Sequence, residues 1–317
     1  MELPKIHSIT KKILVALVGA FLLLFLLFHA TANLFILRHD DGAWYSAFCH
    51  FMGTNWVVKI FEIILLGVIA LHIVLTLWLV VTNRMARPVR YHEPQKSKTH
   101  TTSKLMMWTG ILIFVCLIIH FCDFYFVKLG WVKGEYMVKM ERLEKNPAVG
   151  LTGMAAQWGM TPDELLEELE NEAAMYAEGE NNEAMNYIAE MRSQMDVVRI
   201  MERGRAEGNL SADGKWLRHL TYDERQTLRH TMPESDPEPD FYYMAREKFS
   251  HLHIVLGYLF FFFVIFMHLR HAFPSAFQTL GLNNYKYNNA IEICGKIYTW
   301  LVVLMFAVVP ILVYLGL

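Results

Sequence analysis

Apolar positions along this chain gather into five long runs, separated by short polar stretches and by one long polar block. About 20 mostly apolar residues is the length at which an α-helix crosses a bilayer. The five runs cover about 12–37, 56–82, 105–128, 249–273 and 291–316. Between the third and the fourth, over 129–248, the pattern changes: apolar residues recur at helical spacing instead of continuously, which predicts amphipathic helices. TPDELLEELENEAAMYAEG opens on a capping box from Thr161 to Glu164, with Pro162 at the first helical position. A second box, Thr221 to Glu224, opens TYDERQTLRH. NNEAMNYIAEMRSQMDVVRIMERGRAEG keeps the helical spacing, and DFYYMAREKFSHLHIV predicts one helix running straight into the fourth apolar run. The expected fold class is all-α: an integral membrane protein with five transmembrane helices and an inserted helical domain outside the cytoplasm. Its parts are 1–128 (transmembrane helices 1–3), 129–248 (the acidic insertion) and 249–317 (transmembrane helices 4–5).

Charge sharpens this division and supplies a direction. The insertion holds 24 of the 31 acidic residues against 14 of the 29 Lys and Arg, a net charge of −10. The short loops divide by sign in the way that sets membrane orientation. Lys5, Lys11 and Lys12, then Arg84, Arg87, Arg90, Lys96, Lys98 and Lys104, then Lys286 and Lys296 all fall on one side, and Arg38 stands alone on the other. This places the N-terminus in the cytoplasm and 129–248 outside it; the expectation is a multi-pass protein of a prokaryotic inner (cytoplasmic) membrane. The first apolar run is too long, and lacks a small-residue cleavage site, to read as a removable signal peptide. Cys49, Cys116, Cys122 and Cys294 form no CxxC, so neither a disulfide framework nor a zinc site is indicated. Eleven of the 18 Met lie in the insertion, where filling a helical core explains them better than soft-metal binding. No nucleic-acid partner is expected.

The chemistry lies in histidines placed inside the apolar runs, where a polar side chain is costly and functional by default. The first four runs each carry one: His29, His72, His120 and, on the fourth, His268 with His251, His253 and His271 as rivals. At 1.5 Å per residue, His29 lies about 13 Å and His120 about 12 Å from the outer flank, against about 24 Å for His72 and about 30 Å for His268. Two outer and two inner histidines, each pair from two helices, are what two stacked six-coordinate haems need. A quasi-repeat accompanies them. Gly19 precedes His29 by ten residues and Gly110 precedes His120 by ten, at a constant offset of 91. Close approach of a macrocycle to the backbone and a plain small-residue helix contact both account for these glycines.

The stretches SITKKILVALVGAFLLLFLLFHATANL, FEIILLGVIALHIV, SKLMMWTGILIFVCLIIHFCDF and MHLRHAFPSAFQTLGLNN resemble the single-chain dihaem cytochrome b anchor of succinate dehydrogenase and fumarate reductase. They cover four runs, close to half of the chain. The resemblance implies a four-helix haem-binding bundle with the fifth helix packed outside, and two haem b held by His29, His72, His120 and His268. It implies a flavoprotein subunit, which performs the dicarboxylate chemistry, and an iron–sulfur subunit on the cytoplasmic face. This chain would be the anchor and electron-transfer subunit of that enzyme, a respiratory complex II of the tricarboxylic acid cycle, and a higher oligomer of the complex is left open. The substrate on the membrane side would be menaquinone or another quinone, two stacked haems being similar to the menaquinone-linked members. Glu62 is the best quinone-site candidate, an acid about eight residues into the second run where proton transfer would accompany reduction; an ion pair with Lys59 is its simpler explanation. Asp123 is a second, weaker candidate, marking the outer interface equally well. Ser8, Lys11, Lys12, Arg84 and Arg87, with Arg270 and His271, suit haem propionates or partner docking.

The chain departs from the family twice. Phe266 stands where some fumarate reductases carry a glutamate two residues before the fourth ligand, and the link between the third and fourth helices is about 120 residues instead of short. A helical cap over the outer mouth is the expectation for that link. Two other classes compete: a dihaem anchor of a different quinone-linked dehydrogenase, and a non-redox membrane receptor or scaffold. A fourth helix that ended at Pro274 would leave His268 too near its end to pair with His72, so helix beyond that proline is required.

Overall fold

The computed structural model describes residues 8–85, 101–176, 183–282 and 284–317. Lys5, Arg87, Arg90, Lys96 and Lys98 lie outside the described residues, as do the side chains of Ser8 and Lys104. Five helices are long and apolar enough to cross a membrane. The first is Ser8–Asn33, followed by a 3-10 turn at Leu34–Leu37. The second is Trp56–Met85, and the third starts as Thr101–His120. The fourth is Leu252–Thr279 and the fifth Asn288–Tyr314. Their outer faces leave large apolar side chains bare, among them Leu24 and Ile63 at 71% exposure each. In water such faces would aggregate, so a lipid bilayer is the medium that suits them.

Two compact units make up the chain. The first holds the five spans. In it the first span packs against the second, fourth and fifth, and the fourth packs against the third and fifth. The fifth helix is thus no loose appendage: Tyr298 donates its hydroxyl hydrogen to the Leu23 carbonyl of the first span at 2.5 Å. Helix continues beyond Pro274 for five more residues, although proline removes one i to i−4 bond. The requirement stated for His268 is therefore met.

The second unit is His39–Ser46 with Cys122–Met244. Both capping boxes form as expected: Thr161 N–H donates to Glu164 at 2.7 Å, and Thr221 N–H to Glu224 at 2.9 Å. One feature corrects the all-helical expectation. The unit contains a three-stranded antiparallel sheet in the order β2-β1-β3, formed by β1 (Tyr136–Lys139), β2 (Trp216–Leu220) and β3 (Glu238–Pro239). Its register runs Tyr136 to Leu220 but Val138 to Leu217. That is one residue too many on β2, a bulge whose His219 takes a left-handed φ of 58°. The segment 240–255 is also not one helix, because Phe241–Phe249 stops and a new helix begins at Leu252. The predicted run over 181–208 likewise divides, at Gln194, into Glu183–Ser193 and Met195–Ala206.

Two apolar cores support this unit, one between the sheet and its helices around Tyr136, Leu217, Leu220 and Leu228, the other around Leu151, Leu166, Met191 and Met195. Met137, Met140, Met191, Met195, Met201 and Met244 are buried, as filler for such cores would be. One buried ion pair joins three segments. Arg218 donates from Nε to Asp240 at 2.7 Å and from a terminal nitrogen at 3.0 Å, and it reaches the Asp41 carbonyl at 2.9 Å. Asp240 also accepts from Tyr243 N–H at 3.0 Å, capping Phe241–Phe249. Burial works against the Arg218 charge, yet its bonds to Asp240 hold the guanidinium pKa above its ordinary value. Next to Asp41, Gly42 has φ +73°, and a Cβ there would meet the Tyr242 ring at 2.3 Å, so both conformation and space require glycine.

Candidate cofactor site

The four histidines assemble as two pairs. On the outer level, the rings of His29 and His120 have centroids 6.0 Å apart at an interplanar angle of 74°. Aromatic side chains enclose them: Phe25 stacks on His29 at 5.3 Å, Tyr258 meets His120 edge-on at 6.3 Å, and Phe306 of the fifth span lies 5.7 Å from His29. Asn33 donates to the His29 carbonyl at 2.9 Å and lies 3.4 Å from its Nε2, the longer and weaker of the two contacts. Directly after His120 the helix widens into a π turn, Phe121–Tyr125, before closing as Phe126–Lys128. Single π turns inside α-helices recur at functional sites.

On the inner level, His72 and His268 lie within electrostatic range of each other. The two glycines of the quasi-repeat stand directly against them. A Cβ on Gly19 would meet His72 Cε1 at 3.7 Å, and one on Gly110 would meet His268 Cε1 at 3.8 Å. Glycine on the first span thus faces the histidine of the second, and glycine on the third faces the histidine of the fourth. Ten residues separate each glycine from the outer histidine of its own helix, so the two levels lie about 15 Å apart. His268 rather than His251 or His253 takes the inner place: His251 precedes the helix, and its ring stacks with that of His253 at 5.8 Å.

These residues fit a flat, bis-histidine-ligated group. Two metal–nitrogen bonds of about 2.0–2.1 Å, plus the radius of each ring, place the centroids of axial imidazoles about 6 Å apart, as found for His29 and His120. His72 Nδ1, the ring nitrogen that would point away from such a group if Nε2 bound it, is buried with no hydrogen-bond partner among the described residues. Among the described residues no group of three or more His, Cys, Asp or Glu is placed to hold a bare metal ion; the arrangement is one of pairs.

The remaining candidates scatter. Glu62 is partly buried ten residues before His72, about 15 Å along the helix from it. Asp123 falls within the π turn after His120. Lys11 lies over the Trp78 ring of the second span at 4.1 Å, and Arg84 sits in that span's last turn. Arg270 rests over the Phe266 ring at 5.9 Å, which itself meets Trp300 at 4.7 Å. His271 is within electrostatic range of His268. Sequence reasoning missed Phe25, Tyr258, Phe306 and Thr109. Thr109 left a legible signal, a hydroxyl beside the repeat glycine in an otherwise apolar stretch.

No protein-family model, curated protein or solved structure matches this chain, so the chemistry of the site rests on its own residues.

Proposed function

We propose that this chain is the dihaem cytochrome b anchor of a quinone-linked succinate or fumarate oxidoreductase. The observation that carries the reading is the pairing of four membrane histidines on two levels, His29 with His120 and His72 with His268, each pair drawn from two different spans. The two pairs would each hold one haem b, which when bound supplies a reversible one-electron centre at its level. The chain's own part is to hold and to insulate. Each imidazole would supply one nitrogen to the group, Gly19 and Gly110 keep backbone rather than side chain beside the inner pair, and Phe25, Tyr258 and Phe306 would exclude water from the outer one.

In this reading a flavoprotein and an iron–sulfur subunit dock on the cytoplasmic face of a prokaryotic inner membrane, beside Lys11, Lys12 and Arg84. Electrons pass between that face and a quinone, menaquinone by preference, with Glu62 and Asp123 as the acids near the outer half and Arg270 and His271 beside the inner pair. The test is the optical spectrum of the purified chain, oxidised and dithionite-reduced, with a haem count. Two low-spin b-type haems per chain are expected. A colourless, folded preparation would overturn the proposal.

A further inference from the structure

His268 is held in a way that its partner is not. Thr109 Oγ1 lies 3.1 Å from His268 Nδ1. The same hydroxyl lies 3.0 Å from the Met106 carbonyl and 3.2 Å from that of Leu105, in a residue only 7% exposed. A hydroxyl has one hydrogen and two lone pairs. Its own helix's carbonyls take the hydrogen, so what Thr109 offers His268 is a lone pair. In that arrangement the tautomer with the ring proton on Nδ1 is the one that pairs with Thr109, which leaves the lone pair of His268 on Nε2.

The quasi-repeat supplies a built-in comparison. At the offset of 91, Thr109–Gly110 corresponds to Val18–Gly19. The two glycines approach Cε1 of their histidines at nearly equal distances, 3.8 and 3.7 Å. Val18 is buried and has the shape of threonine without the hydroxyl. Its histidine, His72, is the one whose Nδ1 has no hydrogen-bond partner among the described residues. The same backbone approach thus occurs once with the hydroxyl and once without it.

We propose that Thr109 is a positioning residue for His268, fixing its tautomer and raising its basicity as an axial ligand, and that Val18 leaves His72 without that support. The inner site is then electronically one-sided. This inference rests on the dihaem reading. A hydrogen bond from the far ring nitrogen makes an imidazole a stronger ligand and so favours the oxidised metal. Thr109→Val moves the inner couple to a more positive potential, by roughly a tenfold change in the reduced-to-oxidised ratio, or 59 mV for one electron. Val18→Thr moves the same couple the other way, Thr109→Ser leaves it in place, and the outer couple stays fixed in all three.

The experiment is a spectroscopic redox titration of the full chain and these three variants, with the low-spin resonance signature and the haem count taken on each sample. Opposite shifts of one couple in Thr109→Val and Val18→Thr, at two haems per chain, support the proposal. Loss of one haem in Thr109→Val with full retention in Thr109→Ser supports it as well, because the serine keeps only the hydroxyl. Two haems with unmoved potentials in all variants overturn the proposal and leave the dihaem reading standing. A serine variant that behaves like the valine one overturns it too. A folded wild-type chain without haem overturns both.

Discussion

Asp240→Ala is the sharpest probe of what holds the inserted unit together. Asp240 is wholly buried, and the Arg218 side chain is 7% exposed. The substitution removes two hydrogen bonds to the guanidinium and the cap on Phe241–Phe249. It also leaves a buried cation with the Asp41 carbonyl at 2.9 Å and, as its remaining anionic partner among the described residues, the Asp41 carboxylate at 3.4 Å, which is 53% exposed. An ion pair that exposed recovers at most about 1 kcal/mol. Breaking a buried pair by deleting one partner costs about 3–5 kcal/mol, so the net loss is about 3 kcal/mol once the recovery through Asp41 is set against the middle of that range. The assay is limited proteolysis of the full chain in detergent, followed at sites within 122–244. When opening is fast, cleavage tracks the population of the open form, and each 1.4 kcal/mol is tenfold. Cleavage should therefore accelerate by about two orders of magnitude. Replacing both partners by apolar residues, Arg218→Met with Asp240→Leu, should restore most of the protection, because a buried pair is often no better than a well-packed apolar one. A change of less than about fivefold in Asp240→Ala would refute this account of the unit's stability.

Further outcomes follow from other elements. Gly110→Val places branched carbon where a Cβ would meet His268 Cε1 at 3.8 Å, and on the proposed dihaem reading it should abolish the inner haem while sparing the outer one, halving the haem count. The Thr161 backbone N–H, and then its hydroxyl, hold the Glu164 carboxyl below the usual glutamate range. Its folded-state pKa is depressed, so its contribution to the helix Pro162–Tyr176 is present above the ordinary glutamate pKa and disappears as pH falls through the lower, folded value. Hydrogen exchange of the first turn should quicken as the medium is acidified through that range, and Glu164→Gln should remove this pH dependence.

The spans were legible because hydropathy is a property of consecutive residues, and the two capping boxes because each lies within four. The pairing of His29 with His120 was visible as matched depth, although depth alone cannot show which faces of the helices meet. What escaped depends on distant partners. β1 and β2 are four and five residues long and lie about 80 residues apart in sequence, too short to show alternation and paired only by the fold. The helix Ala43–Thr54 lies in the link between the first two apolar runs, and the grouping of His39–Ser46 with the inserted unit involves partners far along the chain, Arg218 at Asp41 and Tyr242 at Gly42. The break at Ser250 sits inside a segment whose apolar spacing continues through it. The π turn after His120 has no compositional mark.

The two histidine levels also differ in when they can be completed. The outer pair draws on the first and third spans, and both of its histidines exist once residue 120 has been made. The inner pair draws on the second and fourth and waits for residue 268, with the whole inserted unit in between. At synthesis rates of about 5–20 residues per second this is a delay of about 7–30 s. During that interval both outer histidines are present but still lack Tyr258 and Phe306, which enclose them in the finished chain. The order in which the chain leaves the ribosome therefore makes both outer histidines available first and the inner pair last, with the residues of the inserted unit in between.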